Sequence, residues 1–207
     1  MSSPQEAVMA QADMHEAHTS TGLDNVKLAM WAFLGSECLF FGSLISTYLL
    51  YRNRVLPDGG PNPHDVYDIP YTSVSSFVLL MSSLTMVLAL AAIQRGDHKG
   101  LRVWIFATAM LGVVFIGGQI YEFTTFVDEG MKLSSSPAAS AFYLLTGFHG
   151  AHVTVGILLL LLVFGMSLAG RILQTDARKV ELVGLYWHFV DVVWIVVFTV
   201  VYLIPLD

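Results

Sequence analysis

Five long apolar runs alternate with polar stretches along the chain of 207 residues. Residues 1–26 are polar, and apolar segments then fall at about 27–51, 72–93, 103–127, 141–169 and 182–206. Each reaches the roughly 20 residues that a helix needs to cross a bilayer. The pattern predicts an all-α protein, an integral membrane bundle of five transmembrane helices over 27–207, behind a polar N-terminal arm of 1–26. Between the first two runs, Pro57, Gly59, Gly60, Pro61, Pro63 and Pro70 predict a loop over 52–71. Shorter polar links are expected at 94–102, 128–140 and 171–181.

The polar residues inside the runs carry more information than the apolar ones. In the fourth run no charged residue occurs from Leu133 to Gly170, yet it holds His149 and His152. With Thr146 and Gly156 they are spaced as one stripe of a helix, expected to face other helices rather than lipid. The first run places Gly35, Gly42 and Ser46 on one face, a row of small residues of the kind that lets helices approach closely. On its other side lies Glu37, with Phe33, Phe40, Phe41 and Leu44 around it. Ser75 and Ser82, and Ser76 and Ser83, repeat at seven-residue steps in the second run, with Thr85 adding a further hydroxyl. The third run contains Gln119 and Glu122, and the fifth His188, Asp191 and Trp194.

Composition agrees with the pattern: 55% of residues are hydrophobic and 13% charged, against about 25% charged in an average soluble domain. A formal charge of −6, with no basic run, speaks against a nucleic-acid partner. The polar start has neither the basic head nor the apolar core of a secretory signal, so the first run is expected to stay in the mature protein. The lone cysteine, Cys38, has no internal disulfide partner and is expected to be a small packing residue. With the N-terminus inside, the inner side holds Lys27, Arg95, Lys99, Arg102, Arg171, Arg178 and Lys179, and the outer side Arg52, Arg54 and Lys132. That excess favours a cytoplasmic N-terminus and an external C-terminus.

This orientation sorts the polar residues by depth. An inner layer of Glu37, His188 and Asp191 is expected, and an outer one of Gln119, Glu122, His149 and His152. Ionisable groups at membrane depth are costly, by at least ~2.5 kcal/mol near the centre, and need partners. They fit structural cross-links between helices, or else a proton or ion path. Axial haem ligation by His149 and His152 is disfavoured, because they share one helix face. One cysteine and no HExxH pattern argue against zinc or copper. Phosphate loops, nucleophile elbows and dinucleotide fingerprints are missing as well. No catalytic residue, metal ligand or cofactor site is expected in this chain.

Four segments, one in each of four runs, carry a resemblance. They are Ser36-Glu37-Cys38-Leu39-Phe40-Phe41, Gln119-Ile120-Tyr121-Glu122-Phe123, Phe148-His149-Gly150-Ala151-His152-Val153, and Tyr186-Trp187-His188-Phe189-Val190-Asp191-Val192-Val193-Trp194. In this order they resemble subunit III of the heme–copper terminal oxidases, in its short bacterial form with five spans. The resemblance implies a non-catalytic accessory subunit of a respiratory oxidase in a bacterial inner membrane. It implies packing on subunit I, neighbourhood to subunit II, a place in a larger respiratory assembly, and bound phospholipid. Haem and copper are then expected in partner subunits. Glu37 matches the family's membrane carboxylate, and the family's subunit III is thought to support proton uptake and to protect the catalytic subunit during turnover. The two helices that the longer form adds, one arm of its lipid-binding cleft, are missing here. Two other readings remain open: a similar component of a nitric oxide reductase, and an independent proton or ion carrier. A carrier usually shows internal repeats or broken mid-membrane helices, and neither is evident.

Overall fold

The computed structural model describes residues 25–54 and 67–204, which are helical apart from short connections. The polar arm up to residue 24, with His15 and His18, lies outside the described residues. Among the described residues, five helices are long and apolar enough to cross a membrane. They are α1 (Asn25–Tyr51), α2 (Ile69–Gln94), α3 (His98–Asp128), α4 (Pro137–Leu168) and α5 (Ala177–Phe198), which continues as a π-helical turn, Thr199–Leu203. The chain divides into two units, Met1–Glu37 and Cys38–Asp207, and α1 runs through the boundary.

Helix starts and stops follow local chemistry. Pro70 does not belong to a loop, as the sequence suggested, but to the first turn of α2. A proline there gives up only an N–H that would have no partner in the helix. Asp68 caps that turn by accepting from the Tyr71 N–H at 3.1 Å. Pro137 opens α4 in the same way, with Ser136 accepting from the Ala139 N–H at 3.1 Å. Ser136 is buried, so Ser136→Ala is expected to cost about 1 kcal/mol, read as a lowered unfolding midpoint in detergent. Helices α2 and α3 are joined by Arg95, Gly96 and Asp97 alone. Gly96 has φ 75° and Gly130, after α3, φ 94°, the left-handed conformation that closes a helix end. In both turns the next N–H reaches back to the last helical turn, Asp97 to the Ala92 carbonyl and Met131 to the Phe126 carbonyl. Before α5, the Lys179 ammonium, 2.8 Å from Asp176 Oδ1, and the Leu173 N–H hold the Asp176 carboxyl below the usual range.

Helices α2 to α5 form a ring in which α2 packs on α3, α3 on α4, α4 on α5, and α5 back on α2. The buried positions repeat at steps of four and three. In α3 they are Leu101, Ile105, Thr108, Gly112, Phe115, Gln119, Glu122 and Phe126. In α4 they include Thr146, His149, Val153, Gly156, Leu160, Val163 and Ser167. This spacing is the seam of left-handed helix packing. Apolar side chains remain on the outside, among them Phe77, Val103, Leu158 and Val192. Lipid is as apolar as leucine, so small and polar residues rather than hydrophobic ones mark the inward face. At the end where α4 finishes, Arg102 of α3 donates to the Ser167 carbonyl at 2.8 Å and to its hydroxyl at 3.2 Å.

Among the described residues, the small-residue face of α1 at Gly42 and Ser46 is left open. Gly42 has no atom within 4 Å of where a Cβ would stand, and Ser46 is exposed. Cys38 is exposed as well, rather than packed as the sequence suggested. Within the second unit, α1 meets the bundle through Phe41 and Phe40, whose rings lie 4.9 and 6.1 Å from the His152 ring.

Candidate functional site: the polar seam of the bundle

Two tryptophans of α5 organise the interior. Trp187 donates its indole N–H to Ser82 of α2 at 2.9 Å. A Cβ on Gly112 of α3 would stand 2.6 Å from its ring, and one on Gly156 of α4 2.8 Å. The indole thus lies against two bare helix backbones while bonding to a third helix. Trp194, seven residues on, repeats the arrangement. Its N–H donates to Ser76 of α2 at 2.8 Å, Phe115 of α3 meets it edge-on at 4.8 Å, and His149 of α4 stacks on it at 4.8 Å. Each tryptophan therefore ties α5 to the other three helices of the ring. Ser76→Ala removes the acceptor of the Trp194 N–H and is expected to cost about 1 kcal/mol, measurable as a small drop in thermal stability in detergent.

Glu122 is buried near the Tyr51 end of α1. Its Oε1 accepts from Thr72 of α2 at 2.6 Å and from the Tyr202 hydroxyl at 3.3 Å. Tyr202 sits in the π-helical turn, a local widening that often marks special sites. Above it lies Tyr67, with its ring 4.7 Å from Tyr202 and 5.2 Å from Phe142. Burial pushes the Tyr67 phenol well above its usual range.

The residues expected in the outer layer have different partners. Glu122 pairs with Thr72 and Tyr202, not with His149. The His149 ring is fully buried among Phe41, Phe115 and Trp194, and neither ring nitrogen has a hydrogen-bond partner. Gln119 is buried too; its Oε1 lies against Gly150, and its Nε2 has no hydrogen-bond partner. His152 does not share the buried stripe with Thr146, His149 and Gly156, because the seam steps from His149 to Val153. It is half-buried beside α1, and its Nδ1 bonds to the Phe148 carbonyl at 2.7 Å. A carbonyl only accepts, so that nitrogen carries the proton.

Of the expected inner layer, His188 and Asp191 are brought together through a residue the sequence reading had not joined to them. Ser83 of α2 donates to Asp191 Oδ2 at 2.5 Å and lies 2.9 Å from His188 Nδ1. Asp191 is buried and His188 half-buried. Glu37 ends the first unit, half-buried on α1.

Among the described residues no group of three or more histidines, cysteines or acidic residues could hold a metal ion. The surroundings of His149 and His152 do not fit a haem either. One is enclosed by aromatic rings and the other spends a ring nitrogen on its own helix.

Comparison with known proteins shows the ancestry. The family described as Cytochrome c oxidase subunit III matches residues 3–205. The cytochrome c oxidase subunit 3 of Bacillus sp. (strain PS3) is 41% identical over 179 residues, 86% of this chain and 86% of that protein. The quinol oxidase subunit 3 of Bacillus subtilis (strain 168) is 39% identical, covering 92% of each chain. The cytochrome c oxidase subunit 3 of Synechocystis sp. is 39% identical over 210 residues, 98% of this chain and 88% of that protein. The chain, with its five apolar helices and the seam of tryptophans and hydroxyls among α2 to α5, belongs to the cytochrome c oxidase subunit III family.

Proposed function

We propose that this chain is the non-catalytic accessory subunit III of a proton-pumping heme–copper terminal oxidase, a component of an oxidoreductase complex rather than an enzyme by itself. The family match over nearly the whole chain carries this reading. The links that Trp187, Trp194, Glu122 and Asp191 make between helices support a structural role. Haem and copper belong to the partner subunits. Subunits I and II are the partners, with membrane lipids around them. Relatives named for cytochrome c and for quinol are similarly identical to this chain, 41% and 39%, so the choice of donor lies with other subunits. The relatives are oxidase subunits, which favours the oxidase over a nitric oxide reductase.

The subunit sits in a bacterial inner membrane with its N-terminus in the cytoplasm. The basic residues around the Gln94 end of α2, the start of α3 and the start of α5 support this side as the inner one. In this orientation Glu37, Gln119, Glu122, His149, His152, His188, Asp191 and Trp194 are membrane-embedded groups that hold the bundle or serve proton uptake by the catalytic subunit. Removing the subunit from the purified oxidase tests the role. The haem spectrum and initial rate are expected to persist while activity decays faster over repeated turnovers. Loss of the haem signal itself would instead make the chain part of the reaction centre. Glu37→Gln in the intact complex separates the parts: faster decay assigns Glu37 to proton supply, and unchanged decay makes it a packing residue.

A further inference from the structure

We infer that the Ser83 hydroxyl is a proton relay between His188 and Asp191, which makes the α2–α5 seam a site that takes up one proton. The inference rests on two successive hydrogen bonds: His188 Nδ1 lies 2.9 Å from Ser83 Oγ, and Ser83 Oγ 2.5 Å from Asp191 Oδ2. A serine hydroxyl has one proton to give and lone pairs to receive another. With Asp191 ionised, Ser83 donates to Oδ2 and accepts from a protonated Nδ1. A proton arriving at Nε2 of the half-buried imidazole then makes an imidazolium. From there the transfer is balanced. The Nδ1–H bond breaks as its proton joins Ser83 Oγ, and the original Ser83 O–H bond breaks as its proton joins Asp191 Oδ2. Serine is regenerated, the imidazole is neutral with its proton on Nε2, the carboxyl is neutral, and total charge is unchanged. The half-buried ring is the entry and the buried carboxyl the store.

Helix α3, which packs on α2, carries His98, Lys99 and Arg102 in its first turns and Tyr121, Glu122 and Asp128 towards its other end. Helix α2 has no ionisable side chain besides Tyr71, in its first turn. Helix α4 contributes Tyr143, which donates to the Met131 carbonyl, His152, bonded to the Phe148 carbonyl, and His149, buried among aromatic rings; Tyr186 of α5 donates to the His152 carbonyl. The remaining charged side chains of α5 are Arg178, Lys179 and Glu181, in its first turns. A hydrogen-bonded cross-link alone would need neither a histidine nor a carboxylate, since Ser82 and Ser76 already serve the tryptophans on the same seam.

The test is infrared difference spectroscopy of the full chain in lipid nanodiscs on stepping the pH, with ring-labelled histidine. In the unaltered protein the protonated-carboxyl stretch assigned by its loss in Asp191→Asn is expected to rise in the same step that moves the His188 ring proton from Nδ1 to Nε2. Ser83→Ala should split these into two independent titrations, and Ser83→Thr, which keeps the hydroxyl, should reunite them. A single step persisting in Ser83→Ala, or a carboxyl band that rises with no change at the His188 ring, overturns the relay. Unchanged helical circular dichroism in each variant shows that the bundle is intact.

Discussion

Trp187→Ala is expected to be the most damaging single truncation in the chain, at roughly 3–5 kcal/mol on the scale of buried tryptophan deletions. Three losses coincide there. The indole is 1% exposed, so its removal opens a cavity. Gly112 and Gly156 lose the ring that lies across their bare backbones, and Ser82 loses its indole donor. In lipid the hydrophobic gain of burial is small, and dispersion contact carries the packing. The two glycines that bound the cavity have no side chain to swing into it, so it relaxes only in part. The same contact can be challenged from the other side. Gly156→Val places a branched side chain where a Cβ alone would stand 2.8 Å from the ring, and overpacking of this kind costs about 1–3 kcal/mol or more. Because both changes act on one contact, their double variant should fall short of the sum. Thermal unfolding in detergent, followed by intrinsic fluorescence and by circular dichroism, reads all three.

The second large effect is at Glu122, where the size depends on the replacement. Glu122→Gln keeps an Oε1 to accept from Thr72 and Tyr202 and is expected to cost less than about 1 kcal/mol. Glu122→Leu removes the acceptor. Thr72 keeps a second one, the Asp68 carbonyl at 2.9 Å, so its loss is small. The buried Tyr202 hydroxyl loses its carboxyl acceptor and keeps only the neighbouring Thr72 hydroxyl, and losing the stronger bond to the carboxyl costs about 1–3 kcal/mol. Tyr202→Phe added to Glu122→Leu should therefore recover part of the loss. This ordering, Gln mild and Leu severe with rescue by Phe, is the signature of a carboxyl acting as an acceptor. If Gln and Leu were equally damaging to turnover while stability stayed level, the ionisable proton of Glu122 would be what matters.

The five helices were legible in the sequence because membrane crossing demands length and apolarity, and both are visible without any knowledge of contacts. Helix ends were less so. Pro70 and Pro137 looked like loop residues, although a first helical turn accepts proline at no hydrogen-bond cost. The polar residues were found, but their partners were not. Depth along the membrane placed Glu122 and His149 at one level, yet depth says nothing about which side of a helix faces which neighbour. The missing signal was the four-three repeat of small and polar residues in α3, α4 and α5. Followed strictly, it passes through Gly112, Gln119 and Glu122, through Thr146, His149, Val153 and Gly156, and through Gly184, Trp187, Asp191 and Trp194. It would have moved His152 off the seam and put the tryptophans on it. The serines of α2 were noted for their seven-residue spacing, which is the spacing of Trp187 and Trp194. The serines that bond the two tryptophans, Ser82 and Ser76, are six apart and come one from each pair, so spacing alone did not reveal the match.

The measurement that bears most directly on the assignment is purification in mild detergent through a tag on this chain, followed by an optical spectrum and an oxygen-consumption assay. Haem absorption and oxygen uptake are expected to co-purify with it, together with two larger partner chains. A colourless chain recovered alone, from membranes where the same detergent keeps other respiratory complexes whole, would contradict a place in a terminal oxidase.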